Sequence, residues 1–507
     1  MDPVARHAYE PDASFDGGDL DCGNGLLLLI RQHIDPLTRG QLLEFRSTEI
    51  SVEADFPAWC RMTGNELVSL VRRGRERSFL VCKGALAERP STRPARQAPA
   101  SILRLEPVPI RIPERLPPPA PAPALPALAV MGIGSWPRPR WLLQAIHDHL
   151  EGRLEESEFD ATADDAVRLC VLAQHRAGVD AVTDGEQRRD NYASFVGGRL
   201  DNCRLIPLTD LLPLVDDPAH FEAEMKSLDV PAAGVRHPAV FGRLGRTRPL
   251  AGHEAAFTRT LTDRPVKVAL PGPYLLSRIM WMECISDRAY RSREHLAEDI
   301  VRVLREELHF LLAAGVALVQ LDEPVLSEVV FTGAKSTRSF MCGALSEKGD
   351  AATELDFARE LLGQVVTGLP RERLGLHVCR GNWTRDETAA LAGDYRALLP
   401  VLERVNVGTL FLELCTERAG EIEVLATLPP TTRVGVGVVN QKHERVESVD
   451  EIVARARRAI HLFGAGRVLL TPDCGFATFA DNPVASAQVA EAKLLAISRA
   501  AEILRRG

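Results

Sequence analysis

Eight short apolar runs, each followed by a helix-like segment, constrain the fold of this 507-residue chain most strongly. The segments between the runs carry apolar residues three and four positions apart, which is the spacing of one helix face. Eight strand and helix alternations predict an α/β fold, and specifically a (β/α)8 TIM barrel. The runs lie at residues 129–133, 180–183, 266–270, 316–321, 374–378, 409–412, 433–438 and 467–470.

An open, doubly wound parallel sheet would show the same alternation. That fold usually carries a GxGxxG turn after its first strand, where the glycines open a helix against a phosphate. Here the first run leads into MGIGSW (131–136), whose glycines precede Trp136 and Pro137 and do not open a helix. The barrel is therefore the favoured fold for residues 128–507.

The chain ahead of the barrel divides at a proline-rich stretch. Twelve of the 34 prolines fall between Pro90 and Pro126, and such a segment favours extended polyproline conformation. We interpret residues 85–127 as a semi-rigid linker. The remaining N-terminal residues are expected to form a disordered segment, 1–18, and a small domain, 19–84.

Charge, apolar runs and cysteine spacing limit the classes of partner that are expected for this chain. The chain has 61 Lys+Arg against 69 Asp+Glu and no basic block, so nucleic acid is not an expected partner. The only apolar run of the first thirty residues, 26–30, is too short to cross a bilayer, so neither export nor a membrane partner is expected. Ten cysteines without a CxxC motif indicate reduced thiols and a cytoplasmic protein.

Chemistry in a barrel sits at the carboxyl ends of the strands. The fifth run ends in His377 and Cys379, which point to the same side of an extended segment. Glu413 after the sixth run and Cys474 after the eighth would face the same mouth. One imidazole, two thiolates and a carboxylate predict a zinc site. Cys379 could instead be a buried small hydrophobe, and Glu417 and Cys415 compete with Glu413.

Several segments, taken in order, resemble the C-terminal catalytic barrel of cobalamin-independent methionine synthase. The resemblance covers most of residues 128–505 and implies zinc-dependent transfer of a methyl or other alkyl group to a thiol. It also implies that His377, Cys379, Glu413 and Cys474 are the zinc ligands. The segments are VMGIGSWPRP (130–139), DAVTDGEQRRDN (180–191), VQLDEPVLSE (319–328), LHVC (376–379), FLEL (411–414) and TPDCGFATF (471–479).

The same resemblance implies a homocysteine-like amino acid as the small-molecule thiol. Its binding residues would be Ile133, Gly134, Ser135, Glu186 and Asp322. The residue types agree with this, because two carboxylates suit an ammonium group and backbone N–H groups suit a carboxylate. A strand-ending turn at Asp322 and a solvated loop acid at Glu186 are the structural alternatives.

The alkyl donor stays open because the chain departs from the family after the seventh run. The family has a general-acid histidine there, within Gly-x-Gly-x-x-Asp-x-His, whereas this chain places Asn440 at the acid and Lys442 at the histidine. Either His443 serves as the catalytic acid or Lys442 holds an anionic donor or acceptor. Trp281 falls where the family packs an aromatic ring on the pterin of 5-methyltetrahydrofolate. A folate polyglutamate, a methylated corrinoid protein and other donors remain alternatives.

The small domain resembles the TusA/SirA-like sulfur-carrier family. The resemblance rests on DFPAWC (55–60) followed by GNEL (64–67), and it predicts a βαβαβ-like pattern with helices at 25–34 and 54–71 and strands at 41–46 and 77–82. Cys22 takes the place of the family's active cysteine at a helix N-terminus, where a thiolate is stabilised. The domain would then accept sulfur from a donor protein, or else be a degenerate domain that docks or dimerises. Cys60 is expected to be structural.

Two functions follow. The first is a zinc-dependent transferase that alkylates a thiol such as homocysteine to a thioether, coupled to sulfur delivery by the N-terminal domain. The second is a sulfur-relay or zinc- and thiol-binding protein without methyl transfer.

Overall fold

The computed structural model describes residues 6–20, 25–89, 115–207, 236–281, 286, 289–331, 349–381, 385, 387 and 390–506. The chain divides into two compact units. The first contains the described residues up to 89, and the second contains those from 115 onward. None of the described helices combines the length and the apolar character that crossing a bilayer requires.

The first unit is a four-stranded sheet with two helices. Its strands have the order β1-β2-β4-β3, with β1 parallel to β2 and the other two pairs antiparallel. The helices are Leu27–Ile34 and Val52–Thr63. Stacked and edge-on contacts among Phe45, Phe56 and Phe79 fill the core between sheet and helices. The strands are β1 (Ala13–Asp16), β2 (Leu42–Ser47), β3 (Glu66–Arg73) and β4 (Glu76–Cys82).

Two sequence-based expectations for this unit are wrong. The second helix ends at Thr63, not at residue 71, because Gly64 takes a left-handed conformation with φ of 70° and closes the last turn. The residues beyond it form β3. The segment 1–18 was expected to be disordered, but residues 13–16 form β1, whose backbone gains hydrogen bonds by pairing with β2. The pattern is thus βαβαββ.

The second unit is built on a six-stranded parallel sheet with the order β12-β11-β10-β9-β8-β7. Six of the eight predicted runs form these strands, so the predicted α/β fold with a parallel sheet is confirmed. A separate antiparallel ribbon consists of β5 (Asp201–Pro207) and β6 (Arg236–Gly245). The sheet strands are β7 (Lys267–Pro271), β8 (Leu318–Asp322), β9 (Leu374–Val378), β10 (Thr409–Leu412), β11 (Arg433–Val439) and β12 (Val468–Pro472).

The first two predicted runs form isolated parallel bridges. Val130 pairs with Leu470 of β12, Met131 pairs with Ala181, and Val182 pairs with Val266, which directly precedes β7. These bridges therefore connect the two edges of the six-stranded sheet through residues 130–131 and 181–182.

Helices alternate with these strands, as the apolar spacing predicts. The helix that precedes β12 begins with a capping box in which Ser448 and Glu451 satisfy each other's backbone N–H groups. The helices are Arg140–Leu150, Glu156–Arg176, Gly252–Thr260, Pro273–Met280, Arg293–Ala313, Val325–Phe331, Ala351–Val366, Leu399–Leu402, Val449–Phe463 and Ala487–Arg506.

The last part of the proline-rich segment lies against the second unit. The N–H of Ala120 donates to the carbonyl of Leu312, and the guanidinium of Arg373 donates to the carbonyl of Ala120. These bonds attach the end of the proline-rich segment to the second unit, ahead of the isolated bridge at Val130.

The side chain of Phe411, on β10, is fully buried in the second unit. Its ring is buried between two glycines, Gly375 of β9 and Gly435 of β11, on the strands that flank β10. A Cβ atom at Gly435 would lie 2.3 Å from Phe411 Cδ1, and one at Gly375 would lie 2.8 Å from Phe411 Cε2. The two glycines are therefore needed to make room for one aromatic ring.

We predict that Gly435→Ala destabilises the protein by about 1–3 kcal/mol, because the new methyl group overpacks a filled core. The matched control is Gly363→Ala within the helix Ala351–Val366, where a Cβ meets nothing within 4 Å. The control should be neutral or stabilising, since alanine favours helix. Urea unfolding midpoints measure both effects, and equal midpoints for the two variants would contradict the packing argument.

Candidate metal centre

Three side chains that can bind a metal meet where β9 and β12 end. His377 lies within β9, Cys379 directly follows that strand, and Cys474 follows β12. All three are buried, and their ligand atoms lie within 4.8 Å of one another. The hydrogen bond from Cys474 lowers the pKa of Cys379, whose thiol is the acceptor of the pair. The structure thus brings together three of the four residues that the sequence predicts.

A carboxylate orients the histidine. Asp322 is the last residue of β8 and pairs in register with His377 of β9. Its Oδ1 lies 3.0 Å from His377 Nδ1 and also accepts from the Nε2 of Gln320 at 2.6 Å. The opposite ring nitrogen, Nε2 of His377, is buried and has no hydrogen-bond partner among the described residues. This arrangement leaves Nε2 as the atom that can bind a metal.

Glu413 is fully buried directly after β10, but it is not a member of the group of three. Its Oε1 accepts from the N–H of Arg380 at 2.7 Å. The Tyr395 hydroxyl bonds both the N–H and the carbonyl of Glu413, at 2.9 and 3.1 Å. The charge of Glu413 acts on both thiols and opposes their ionisation. Glu413 is therefore rigidly held next to the cysteines.

The structure separates Glu413 from its competitors. Glu417 lies in the short helix Glu417–Ala419 and is exposed. Cys415 is half-buried and is not part of the group of three.

Asp473 connects the last strand to the loop that carries Glu413. Its Oδ1 accepts from the N–H groups of Leu414 at 2.9 Å and Cys415 at 3.0 Å. Burial raises the pKa of Asp473 to about 8, and the charge of Glu413 adds to this rise. Asp473 thus fixes the position of Glu413 relative to Cys474.

Glu186 and Asp322 form a pair of neighbouring carboxylates. Glu186 is buried and has a φ of 56°, which is unusual for a residue other than glycine. A Cβ at Gly134 would lie 2.2 Å from Glu186 Oε1, so this glycine makes room for the carboxylate. Burial raises the pKa of Glu186 to about 7; Arg189 opposes the rise and Asp322 adds to it.

The turn 132–135 faces these carboxylates, and its carbonyl groups are bonded within the protein. The ammonium of Lys267 donates to the carbonyls of Gly132 at 2.8 Å and Ile133 at 2.7 Å. Thr183 Oγ1 donates to the carbonyl of Gly134, and the N–H of Phe476 donates to that of Ser135. Burial lowers the pKa of Lys267 to about 7, although the charges of Asp322 and Glu186 partly offset this effect.

Lys442 and His443, the two candidate residues after β11, differ in burial. Lys442 is buried, with 2% of its surface exposed, whereas 56% of the His443 side chain is exposed. Burial lowers the pKa of Lys442, and so does the charge of Arg418, whereas Glu387, Glu413 and Cys474 oppose this effect. The Nε2 of His443 lies 3.3 Å from Glu387 Oε1, and Glu387 also accepts from Asn440 Nδ2 at 2.6 Å. Of these two residues, the buried one is therefore Lys442, whose charge interacts with Cys474, and the exposed one is His443.

Two further predicted positions are less informative. Trp281 directly follows the helix Pro273–Met280 and packs, half-buried, against the main hydrophobic core. Cys22 lies outside the described residues, so its assignment as a sulfur carrier stays a prediction. Cys60 is buried in the core of the first unit, where a structural cysteine was expected.

Comparison with known proteins identifies the second unit. Residues 128–348 and 384–497 match the family described as "Cobalamin-independent synthase, Catalytic domain". The chain belongs to this family. Family membership confirms the predicted family of the barrel segment and the prediction of a methyltransferase enzyme. The matched residues begin at 128, so this finding concerns the second unit alone.

Named relatives agree over the same region. Methionine synthase of Saccharolobus solfataricus is 24% identical over 383 residues, which are 75% of this chain and 96% of that protein. Methionine synthase of Sulfurisphaera tokodaii is 26% identical over 353 residues, or 69% and 86% of the two chains. A solved B12-independent methionine synthase from Shewanella sp. W3-18-1, in complex with selenomethionine, shares the fold with a TM-score of 0.56. That protein is 24% identical, and the match covers 75% of this chain and 98% of that one.

Sequence reasoning missed the residues that support the site. Tyr395, Arg380 and Asp473 act on Glu413 through contacts that join distant parts of the chain, which no local pattern shows. For Lys267 the sequence contains a signal that predicts its burial. A lysine at the start of a strand that is otherwise fully apolar must be buried, because strands of a covered parallel sheet have no solvent face.

We predict that the carboxyl group of Glu186 titrates near neutral pH. Since its pKa is raised to about 7, it should be mainly protonated at about pH 6 and mainly ionised at about pH 8. Infrared difference spectra between these pH values should lose one carboxyl signal in Glu186→Gln. The matched variant Glu451→Gln should lose none, because Glu451 has a pKa of about 2. An unchanged Glu186→Gln difference spectrum would contradict the assignment.

Proposed function

We propose that this protein transfers a methyl group from a donor to the thiol of a homocysteine-like amino acid, with a thioether as product. The observation that carries the proposal is the group of His377, Cys379 and Cys474 within 4.8 Å, next to the carboxylate pair Glu186 and Asp322. A thiol-binding metal site and an ammonium-binding site thus lie at one mouth. The relatives named as methionine synthases support the same reaction.

The metal that we propose is zinc. The residues fit it, because His377 has a buried Nε2 without a hydrogen-bond partner in the described parts of the chain, while Asp322 holds its Nδ1. The two thiols are the other two ligands, and we propose Glu413 as the fourth. Imidazole, thiolate and carboxylate are the ligand types that zinc accepts together. Bound zinc would keep a substrate thiol deprotonated at neutral pH.

The amino-acid part of the substrate would lie between the turn 132–135 and the carboxylate pair. We propose that the ammonium group binds Glu186 and Asp322, and that the carboxylate binds the N–H groups of Ile133, Gly134 and Ser135. Buried carboxylates are costly unless a cation joins them, and the raised pKa of Glu186 reflects that cost. A bound ammonium group would relieve it.

The architecture proposed for this site is a closed (β/α)8 barrel over residues 128–507. The three isolated bridges support closure, since residues 130–131 and 181–182 connect β12 to β7. In a closed barrel the turn 132–135, Glu186 and the ends of β8 to β12 all face one opening.

For the rest of the chain we propose that the first unit, with β1 included, is a sulfur-carrier-like domain, and that the residues between 89 and 115 are the linker. Sulfur delivery to the catalytic unit, through Cys22 and a sulfur-donor protein, is part of the proposal.

The donor half of the site centres on Lys442. Its burial near the cysteines supports a role as the charged group that faces the donor, whereas His443 pairs with Glu387 at the surface. We propose 5-methyltetrahydrofolate as the first donor to test, with Trp281 as its ring contact. Lys442 stands at the position of the family's general-acid histidine. This replacement favours one second candidate, a zinc- and thiol-binding protein without methyl transfer.

Product formation tests the proposal. The zinc-loaded protein is incubated with homocysteine and, separately, with 5-methyltetrahydrofolate, its polyglutamate or a methylated corrinoid protein, and methionine is measured by mass spectrometry. We expect methionine with one of these donors and none with Cys379→Ser. Absence of product with every donor, from protein that holds stoichiometric zinc, would favour the second candidate.

We predict that Cys474→Ser loses most of its bound zinc, because an alcohol at that position is a far poorer ligand than a thiolate. The matched variant Cys415→Ser changes a neighbouring thiol outside the group of three and should keep wild-type zinc. Zinc is measured by atomic emission after dialysis against a weak chelator. Wild-type zinc in Cys474→Ser would show that the ligand set is wrong.

A further inference from the structure

Lys267 is a buried lysine that is neither a proposed metal ligand nor a proposed substrate contact. It opens β7, and only 1% of its surface is exposed. Its Nζ atom donates to the carbonyl groups of Gly132 and Ile133. The same atom lies 4.2 Å from the centre of the Phe411 ring, which gives the ammonium group a cation–π contact.

The two carbonyl bonds determine the direction of the next N–H groups. In a trans peptide the carbonyl of one residue and the N–H of the next point to opposite sides, and the chain has no cis peptide bonds among its described residues. Because Lys267 holds the carbonyls of Gly132 and Ile133, the N–H groups of Ile133 and Gly134 point away from it. Thr183 does the same for Ser135 by holding the carbonyl of Gly134.

These N–H groups are available to a ligand. Within the parts of the chain that the structure describes, none of the hydrogen bonds uses the N–H of Ile133, Gly134 or Ser135. The N–H groups of Ile133 and Gly134 both point away from Lys267, and successive N–H groups on one side of the backbone form a concave site for an anion such as a carboxylate. The side of the turn away from Lys267 therefore has the chemistry of a carboxylate site.

Lys267 also sets the charge of the pocket. Asp322 and Glu186 both act on its ammonium group, so Lys267 in its protonated form places one cation beside two carboxylates. The buried guanidinium groups of Arg189 and Arg138 also act on Glu186. Removal of the Lys267 ammonium would make the pocket one charge more negative, which repels a substrate carboxylate.

We propose that Lys267 is a positioning residue for the carboxylate of the amino-acid substrate. It acts by turning the N–H groups of Ile133 and Gly134 toward the ligand and by cancelling one of the two carboxylate charges. This inference rests on the proposed function, because it assumes an amino-acid thiol as substrate. It assigns to Lys267 recognition of the carboxylate only, and not of the ammonium group or the thiol.

Two thiols that differ in one group test the proposal by isothermal titration calorimetry on zinc-loaded protein. L-Homocysteine has the carboxylate, and 3-mercaptopropylamine lacks it but keeps the ammonium and thiol groups. In Lys267→Met we expect the affinity for homocysteine to fall by about tenfold or more, as for a lost charge-assisted contact. The affinity for 3-mercaptopropylamine should stay unchanged or rise, since a more negative pocket attracts a cation.

The outcomes are distinguishable. If Lys267→Met weakens both thiols equally, its role is structural and the inference fails. If it weakens neither, the turn does not depend on Lys267 and the inference also fails. If the wild-type protein binds no homocysteine, the proposed function itself fails. Should Lys267→Met not fold, Lys267→Gln keeps an N–H donor without the charge, and an unchanged preference for homocysteine in that variant overturns the charge argument.

Discussion

The hydrogen bond between Asp322 and His377 is the contact on which the site depends. It exists because β8 and β9 are parallel and in register, so that the two residues are direct neighbours at the same level of the sheet. One oxygen of Asp322 fixes the imidazole, and the same carboxylate lies beside Glu186. In the proposed function, the metal ligand His377 and the amino-acid pocket therefore both depend on Asp322, and a shift of register between these strands would separate Asp322 from His377.

The second constraint on the site is that several of its ionisable groups are buried. Glu186, Asp322, Glu413 and Asp473 are all buried, and each must be compensated by a cation or by N–H groups. The protein supplies N–H groups to Asp473 and Glu413 and a nearby ammonium group to Asp322 and Glu186. The N–H contacts of the first pair fix the loop that carries Glu413, whereas the second pair is the one to which we propose that the substrate ammonium group binds.

The sequence predicts the parts of the site that depend on local order along the chain. Strands β9 and β10 have the predicted bounds, and the residues that end β9 and β12 meet as expected. Residues 54–71 misled the prediction because Leu67, Leu70 and Val71 continue a helical spacing, while the left-handed Gly64 ends the helix earlier. Tyr395 could not be assigned, since its role depends on partners that are distant in the sequence, and for Lys267 the apolar strand predicts burial but not the two carbonyl partners.

Lys442 and His443 are adjacent in the chain, but only Lys442 is buried. The pairing of β11 with β12 shifts its register between Gly437 and Val439, so strict alternation from the strand cannot be extended to the residues beyond it. The buried side chain there is an ammonium group that lies close to Glu413 and Cys474. A lysine is a compact cation with three N–H donors, whereas a neutral imidazole can accept a proton as well as donate one. If Lys442 faces the donor, as we propose, the leaving group that fits it best is one that develops negative charge as the methyl group departs.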